Sequence, residues 1–161
     1  MRVDTINPLV LADGDIAEWR SLLTADPNFT SPFLTPDWAQ FVARRRPDAR
    51  VAVFRNEDGS AAGFLPVQRS SPYAALPIGG SVCDYQAMIG PTGLDLPLAV
   101  KALDVGRIDF TAGLKDSGLA PHLLAADAGH VARFPEGWEA WAEEREAAGA
   151  LQRDQELAVS A

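Results

Sequence analysis

The sequence predicts a mixed α/β domain closed by a C-terminal helix. Three observations carry that expectation. Candidate elements follow in the order β, α, α, β, β, β, α, β, with two further short strands and a long helix after them. Apolar residues make up 47% of the 161 residues, enough for one sizeable core and too much for a disordered chain. The last 29 residues, from Arg133, hold seven acids and three arginines, and so half of the net charge of −8. The expected division is therefore a body over 1–135 and an acidic helix or tail over 136–161.

Met1 to Asn7 alternates weakly and reads as a first strand. Asp15-Ile-Ala-Glu18 has the spacing of a capping box, with a carboxylate for the usual hydroxyl. It opens a helix with Ile16, Trp19, Leu22 and Leu23 on one face, stopped by Asp26-Pro27-Asn28. Thr35 is an N-cap and Pro36 fits the first position of a second helix. Trp38, Phe41 and Val42 should face inward there, and Arg44-Arg45-Arg46 should end it. Arg50 to Arg55 and Ala61 to Arg69 form a hairpin around the turn Asn56–Ser60. Pro66 marks the return strand as an edge, a bulge or a strand end. Residues 70–86 read as loop, and Gln86 to Gly90 as a short buried strand. A helix over Leu96 to Leu103 and a strand over Arg107 to Thr111 follow. Ala120 to Ala125 and Ala128 to Phe134 are further strand candidates, and Gly137 to Leu157 is the terminal helix.

Charge narrows the function classes. A net −8 argues against a nucleic-acid or anionic-lipid partner. No apolar run is long enough to span a bilayer, and the first residues lack a signal-peptide core, so a cytoplasmic location is expected. The single cysteine, Cys83, cannot form an intramolecular disulfide.

The most chemically loaded cluster is Asp84-Tyr85-Gln86. A carboxylate, a phenol and an amide in sequence can orient a sugar or an amine; alternatively Tyr85 packs and Asp84 caps a turn. Gly79-Gly80-Ser81-Val82-Cys83 lacks the last glycine of a nucleophile elbow. Cys83, His122 and His130 have no metal-site spacing, so no metal is expected. Arg44-Arg45-Arg46 with Arg50 is either a solvated helix end or a place for a phosphate or a carboxylate.

Three blocks carry a resemblance. Ser31-Pro32-Phe33-Leu34-Thr35-Pro36-Asp37-Trp38 comes first, then Gly63-Phe64-Leu65-Pro66-Val67. Leu76-Pro77-Ile78-Gly79-Gly80 with Asp84-Tyr85-Gln86 is the third. In this order and spacing, from about Trp19 to Phe110, they resemble the N-terminal half of CelD/BcsL-like acyltransferases. These are GNAT-type proteins of bacterial cellulose and exopolysaccharide biosynthesis, and they resemble the FemAB-like double-GNAT enzymes.

The resemblance implies a GNAT-like three-layer domain with a mixed, largely antiparallel sheet. It implies acyl transfer with acyl-CoA as co-substrate, the acyl-CoA chemistry belonging mainly to a second half. The chain has the length of one half, so the expectation is a half that is not competent alone and binds no cofactor by itself. Whether it is an enzyme at all stays open. Its partner would be a second GNAT-like half, or another copy meeting it through the C-terminal helix. A GNAT site holds the CoA pyrophosphate on a glycine-rich strand-to-helix loop. The loop at that place is Gly90-Pro91-Thr92-Gly93-Leu94-Asp95, where Pro91 removes a donor and Asp95 adds a negative charge.

Overall fold

The computed structural model describes residues 1–126 and 135–147, with backbone alone for Lys115 and Asp116. The chain divides into two compact units, Met1–Leu124 and Ala125–Ala161. The first is a mixed α/β domain around a five-stranded sheet in the order β1-β2-β3-β4-β5. The strands are β1 Arg2–Ile6, β2 Arg50–Arg55, β3 Ala61–Ser71, β4 Ala74–Pro77 and β5 Arg107–Ile108; the helices are α1 Asp13–Ala25, α2 Pro36–Ala43 and α3 Leu96–Ala102. The first four strands are antiparallel neighbours, and β4 pairs with β5 in parallel.

Alternation along β2 sends Val51 and Val53 to one face and Ala52 and Phe54 to the other, and all four are buried. The first face is covered by α1 and α2. There Trp19 stacks on Phe64 with ring centroids 4.8 Å apart, and its indole N–H donates to Leu34 O at 2.9 Å. The second face is covered by α3 through Leu96, Ala99 and Leu103. The result is three layers with helices on both sides of the sheet.

Thr35 caps α2 as expected, its hydroxyl accepting from Trp38 N at 3.2 Å, with Pro36 at the first helical position. The start of α1 differs from its expected capping box. The helix begins at Asp13 after Ala12, with no side-chain cap. Asp15 instead turns into the sheet and pairs with Arg55, which also binds Asp4 Oδ2 at 2.9 Å. A carboxylate spent on a buried guanidinium is not available to cap its own helix. Phe41 also departs from its expected inward position: it is 60% exposed, stacked on the half-buried Trp38 at 5.6 Å.

Pro66 lies inside the central strand β3, opposite Val51. It is tolerated because the ladder changes partner beside it. Phe64 exchanges backbone bonds with Ile89, and Pro66 O then accepts from Ile78 N at 3.0 Å. The missing proline N–H falls where neither stretch of the ladder asks for one. Segment 70–86, expected to be loop, contains β4. This strand of Ala-Ala-Leu-Pro has no β-branched residue to signal it. Gln86–Ile89 is buried as expected but joins the sheet only through isolated bridges, Phe64 with Ile89 and Gln86 with Gly113. Arg107 to Thr111 shortens to β5. Ala120 to Ala125 is not a strand: Ala120–His122 is a 3-10 turn, with Pro121 denying a donor and Gly118 left-handed just before it. The candidate strand Ala128 to Phe134 lies outside the described residues.

In the second unit, the described part of the terminal helix is α4, Trp138–Ala147. Trp138 and Trp141 share a face with ring centroids 4.8 Å apart, and the Arg145 guanidinium lies 5.7 Å from the Trp141 ring centre. The rest of the expected helix lies outside the described residues.

Replacing Arg55 by Met should cost about 3–5 kcal/mol, because Asp15 is left buried without its cation. The Arg20–Asp37 pair is more than half exposed on both sides, and Arg20→Met should cost under about 1 kcal/mol. Urea unfolding of both variants checks this; equal losses would refute the ranking.

Candidate functional site

The Asp84-Tyr85-Gln86 cluster sits where β4 is interrupted. After Pro77 the chain leaves the sheet, makes a 3-10 turn at Gly80–Val82 and returns at Gln86. Gly79 makes the departure with φ +89; a Cβ there would stand 2.5 Å from Cys83 Sγ and 2.9 Å from Trp38 Nε1, so no side chain fits.

Gln86 is 2% exposed and its whole amide is committed. Oε1 accepts from Thr111 N at 2.9 Å and Ala112 N at 3.3 Å; Nε2 donates to Gly80 O and Thr111 Oγ1. Its backbone adds two more bonds to the same segment, Gln86 N to Ala112 O and Leu114 N to Gln86 O. Gln86 thus ties the returning chain to the stretch after β5, and its amide has no group left for a substrate. Tyr85 is half-buried and borders a crevice of ≈10 Å³ with Phe33, Leu34 and Ile78, room for about one water. Asp84 is exposed beside it. Of the three residues, Asp84 and the edge of Tyr85 are the ones a ligand can reach.

Cys83 is buried, and its thiol donates to Ile78 O at 3.3 Å. Burial pushes the thiol pKa up, the neighbouring Trp38 indole N–H opposes the rise, and Asp84 adds to it. A thiol held protonated and facing a carbonyl is a packing group rather than a nucleophile. Among the described residues no three His, Cys, Asp or Glu side chains come together as a metal site, and no helix is long and apolar enough to cross a membrane.

The loop before α3 closes on itself. Leu94 N donates to Pro91 O at 3.3 Å, and Asp95 Oδ1 accepts from Leu98 N at 3.0 Å as the N-cap of α3. Pro97, second in the helix, carries no N–H. Leu94 is buried against Gly63, where a Cβ would meet it at 2.4 Å. The helix end that would face a phosphate is therefore occupied by the chain's own carboxylate.

A second, wider cleft lies at the other end of α3. Its volume is ≈330 Å³, and Thr5, Asp48, Arg50, Arg69 and Asp104 contribute its polar lining. Arg69 donates to Pro72 O, Leu103 O and Asp104 O, while Asp48 pairs with Arg46 and accepts from Arg69 N. The Arg46 hydrogen bond holds the Asp48 carboxyl below the usual carboxylate range. Nothing in the sequence spacing points to Arg50 and Asp104 as lining residues of one cleft.

The fold and these sites define a mixed α/β domain with one closed and one open helix end. Comparison with protein-family models, curated proteins and solved structures found no match.

Cys83 should react with a disulfide reagent more slowly than a free thiol at pH 8, and its rate should rise only at pH values above the ordinary thiol range. Stopped-flow absorbance across pH 7–10.5 checks this against glutathione; matching profiles would refute it. Gln86→Leu should cost about 2–4 kcal/mol by stranding the Thr111 and Ala112 amides, against under about 1 kcal/mol for Asp84→Ala.

Proposed function

We propose that this chain is the GNAT-like N-terminal half of an acyltransferase of the cellulose and exopolysaccharide type. In this reading it is a non-catalytic half: acyl-CoA is bound by a second GNAT-like half, and this one contributes structure and acceptor-side surface. The observation that carries the reading is the self-capped start of α3. Asp95 caps the helix start with its own carboxylate, Pro91 removes a donor from the loop before it and Pro97 another from the first turn of the helix. Repulsion from the Asp95 carboxylate adds to the loss of donors. The order β1-α1-α2-β2-β3-β4-α3-β5, with β4 and β5 parallel, supports the resemblance drawn from the sequence blocks.

Asp84 and Tyr85 are the residues of this half that would meet an acceptor sugar or amine. The partner would be the second half, or another copy, reached through α4, where Trp138 is 56% exposed.

Calorimetric titration of the full chain with acetyl-CoA tests the first claim. The expected result is no saturable binding tighter than about 1 mM, or about 4 kcal/mol. Asp95→Ser keeps an N-cap while removing the charge, and should leave stability nearly unchanged. A micromolar dissociation constant for the unaltered chain, about 8 kcal/mol, would overturn the proposal.

A further inference from the structure

We propose that the ≈330 Å³ cleft at the C-terminal end of α3 binds a small zwitterion of the α-amino-acid class, its carboxylate on Arg50 and its ammonium on Asp104.

The charges lining the cleft sort into spent and unspent. Arg69 is spent on three backbone carbonyls, and Asp48 on Arg46 and the Arg69 amide. Arg50 uses only Nη1, on Pro47 O and Ala49 O, which leaves Nε and Nη2 as donors. Among the described residues no carboxylate lies within ion-pair distance of Arg50, and no cation lies within that distance of Asp104. One cation and one anion remain in the same cleft. A lone phosphate would meet the negative charges of Asp104 and Asp48, and a lone ammonium would meet two guanidinium groups. A ligand carrying both charges meets neither objection. Val67, Ala75, Leu103 and Val105 supply an apolar floor for its side chain, and the volume falls at the small end of ligand cavities, about 300–1,000 Å³.

Asp104 is itself an unexpected residue for its position. It has φ +52, the one non-glycine with positive φ among the described residues. It closes α3 with the bonds Asp104 N to Lys101 O and Val105 N to Val100 O, a motif that glycine usually completes. An acid there combines backbone strain with a negative charge at the negative end of a helix. Both fall on an exposed residue that lines the cleft and has no ion-pair partner among the described residues.

Amide chemical-shift titration of the full, labelled chain tests the proposal with L-leucine, L-alanine and L-serine as probes. Controls are 4-methylpentanoate, which lacks the ammonium, 3-methylbutylamine, which lacks the carboxylate, and inorganic phosphate. The expected result is saturable shifts at Thr5, Arg50 and Leu103–Val105 for at least one amino acid, with each single-charge control weaker by about tenfold or more. Asp104→Gly should lose that binding while melting at the same or a higher temperature, because glycine relieves the left-handed strain. Arg50→Met should lose it as well. No saturation by any amino acid up to about 20 mM would overturn the proposal. So would binding of 4-methylpentanoate or phosphate as tight as the amino acid's, or binding that survives Asp104→Gly.

Discussion

Burial of β2 on both faces is the constraint from which the rest of the domain follows. Six residues, Arg-Val-Ala-Val-Phe-Arg, carry apolar side chains in every interior position, so both faces of the strand need a cover. Helices α1 and α2 supply one and α3 the other. The two arginines lie at the ends, and the even length of the strand puts them on opposite faces. Arg55 emerges beneath α1 and is neutralised twice, by Asp4 and Asp15. Arg50 emerges beside the end of α3 and pairs with no carboxylate among the described residues. A buried pair such as Arg55–Asp15 is retained because breaking it exposes one charge to an apolar surrounding, not because the pair is strongly favourable in itself. It ties α1 to the sheet on the face where Trp19 stacks on Phe64.

What could be read from the sequence follows from which signals are local. The Thr35-Pro36 start of α2, the Asn56–Ser60 turn and α3 all announce themselves within four or five residues, and the structure has them where they were expected. The Asp15 capping box failed because both oxygens of its carboxylate are turned onto Arg55. Forty residues away, Arg55 competes for them on better terms than the helix's own amides. Strand β4 was missed because Ala74-Ala75-Leu76-Pro77 has neither alternation nor branching, and only its neighbours β3 and β5 make it a strand. Gln86 looked like a ligand group because an amide beside a phenol and a carboxylate is chemically versatile. Its partners at Thr111 and Ala112 are 25 and 26 residues on, and no spacing rule points to them. The Asp104 conformation was equally hidden: positive φ in a non-glycine residue leaves no mark on the sequence.

The two ends of α3 differ in what they leave for a ligand. At its start, a helix offers free amides and a partial positive charge. Here Asp95, Pro91 and Pro97 use up or remove much of that potential, so the end usually suited to phosphates is closed. At its finish, a helix offers carbonyls and a partial negative charge. Arg69 takes two of the carbonyls there, Leu103 O and Asp104 O, and Thr5 takes a third, Ala102 O. That end is therefore not simply negative. It is a surface where the backbone is satisfied and two side chains, Arg50 and Asp104, are left over with opposite charge. Stability alone would favour glycine at position 104. The asymmetry between the two arginines of β2 is thus the strongest argument in the molecule for a ligand: Arg55 is paired twice, while Arg50 lines a cleft together with an exposed Asp104 in the left-handed region.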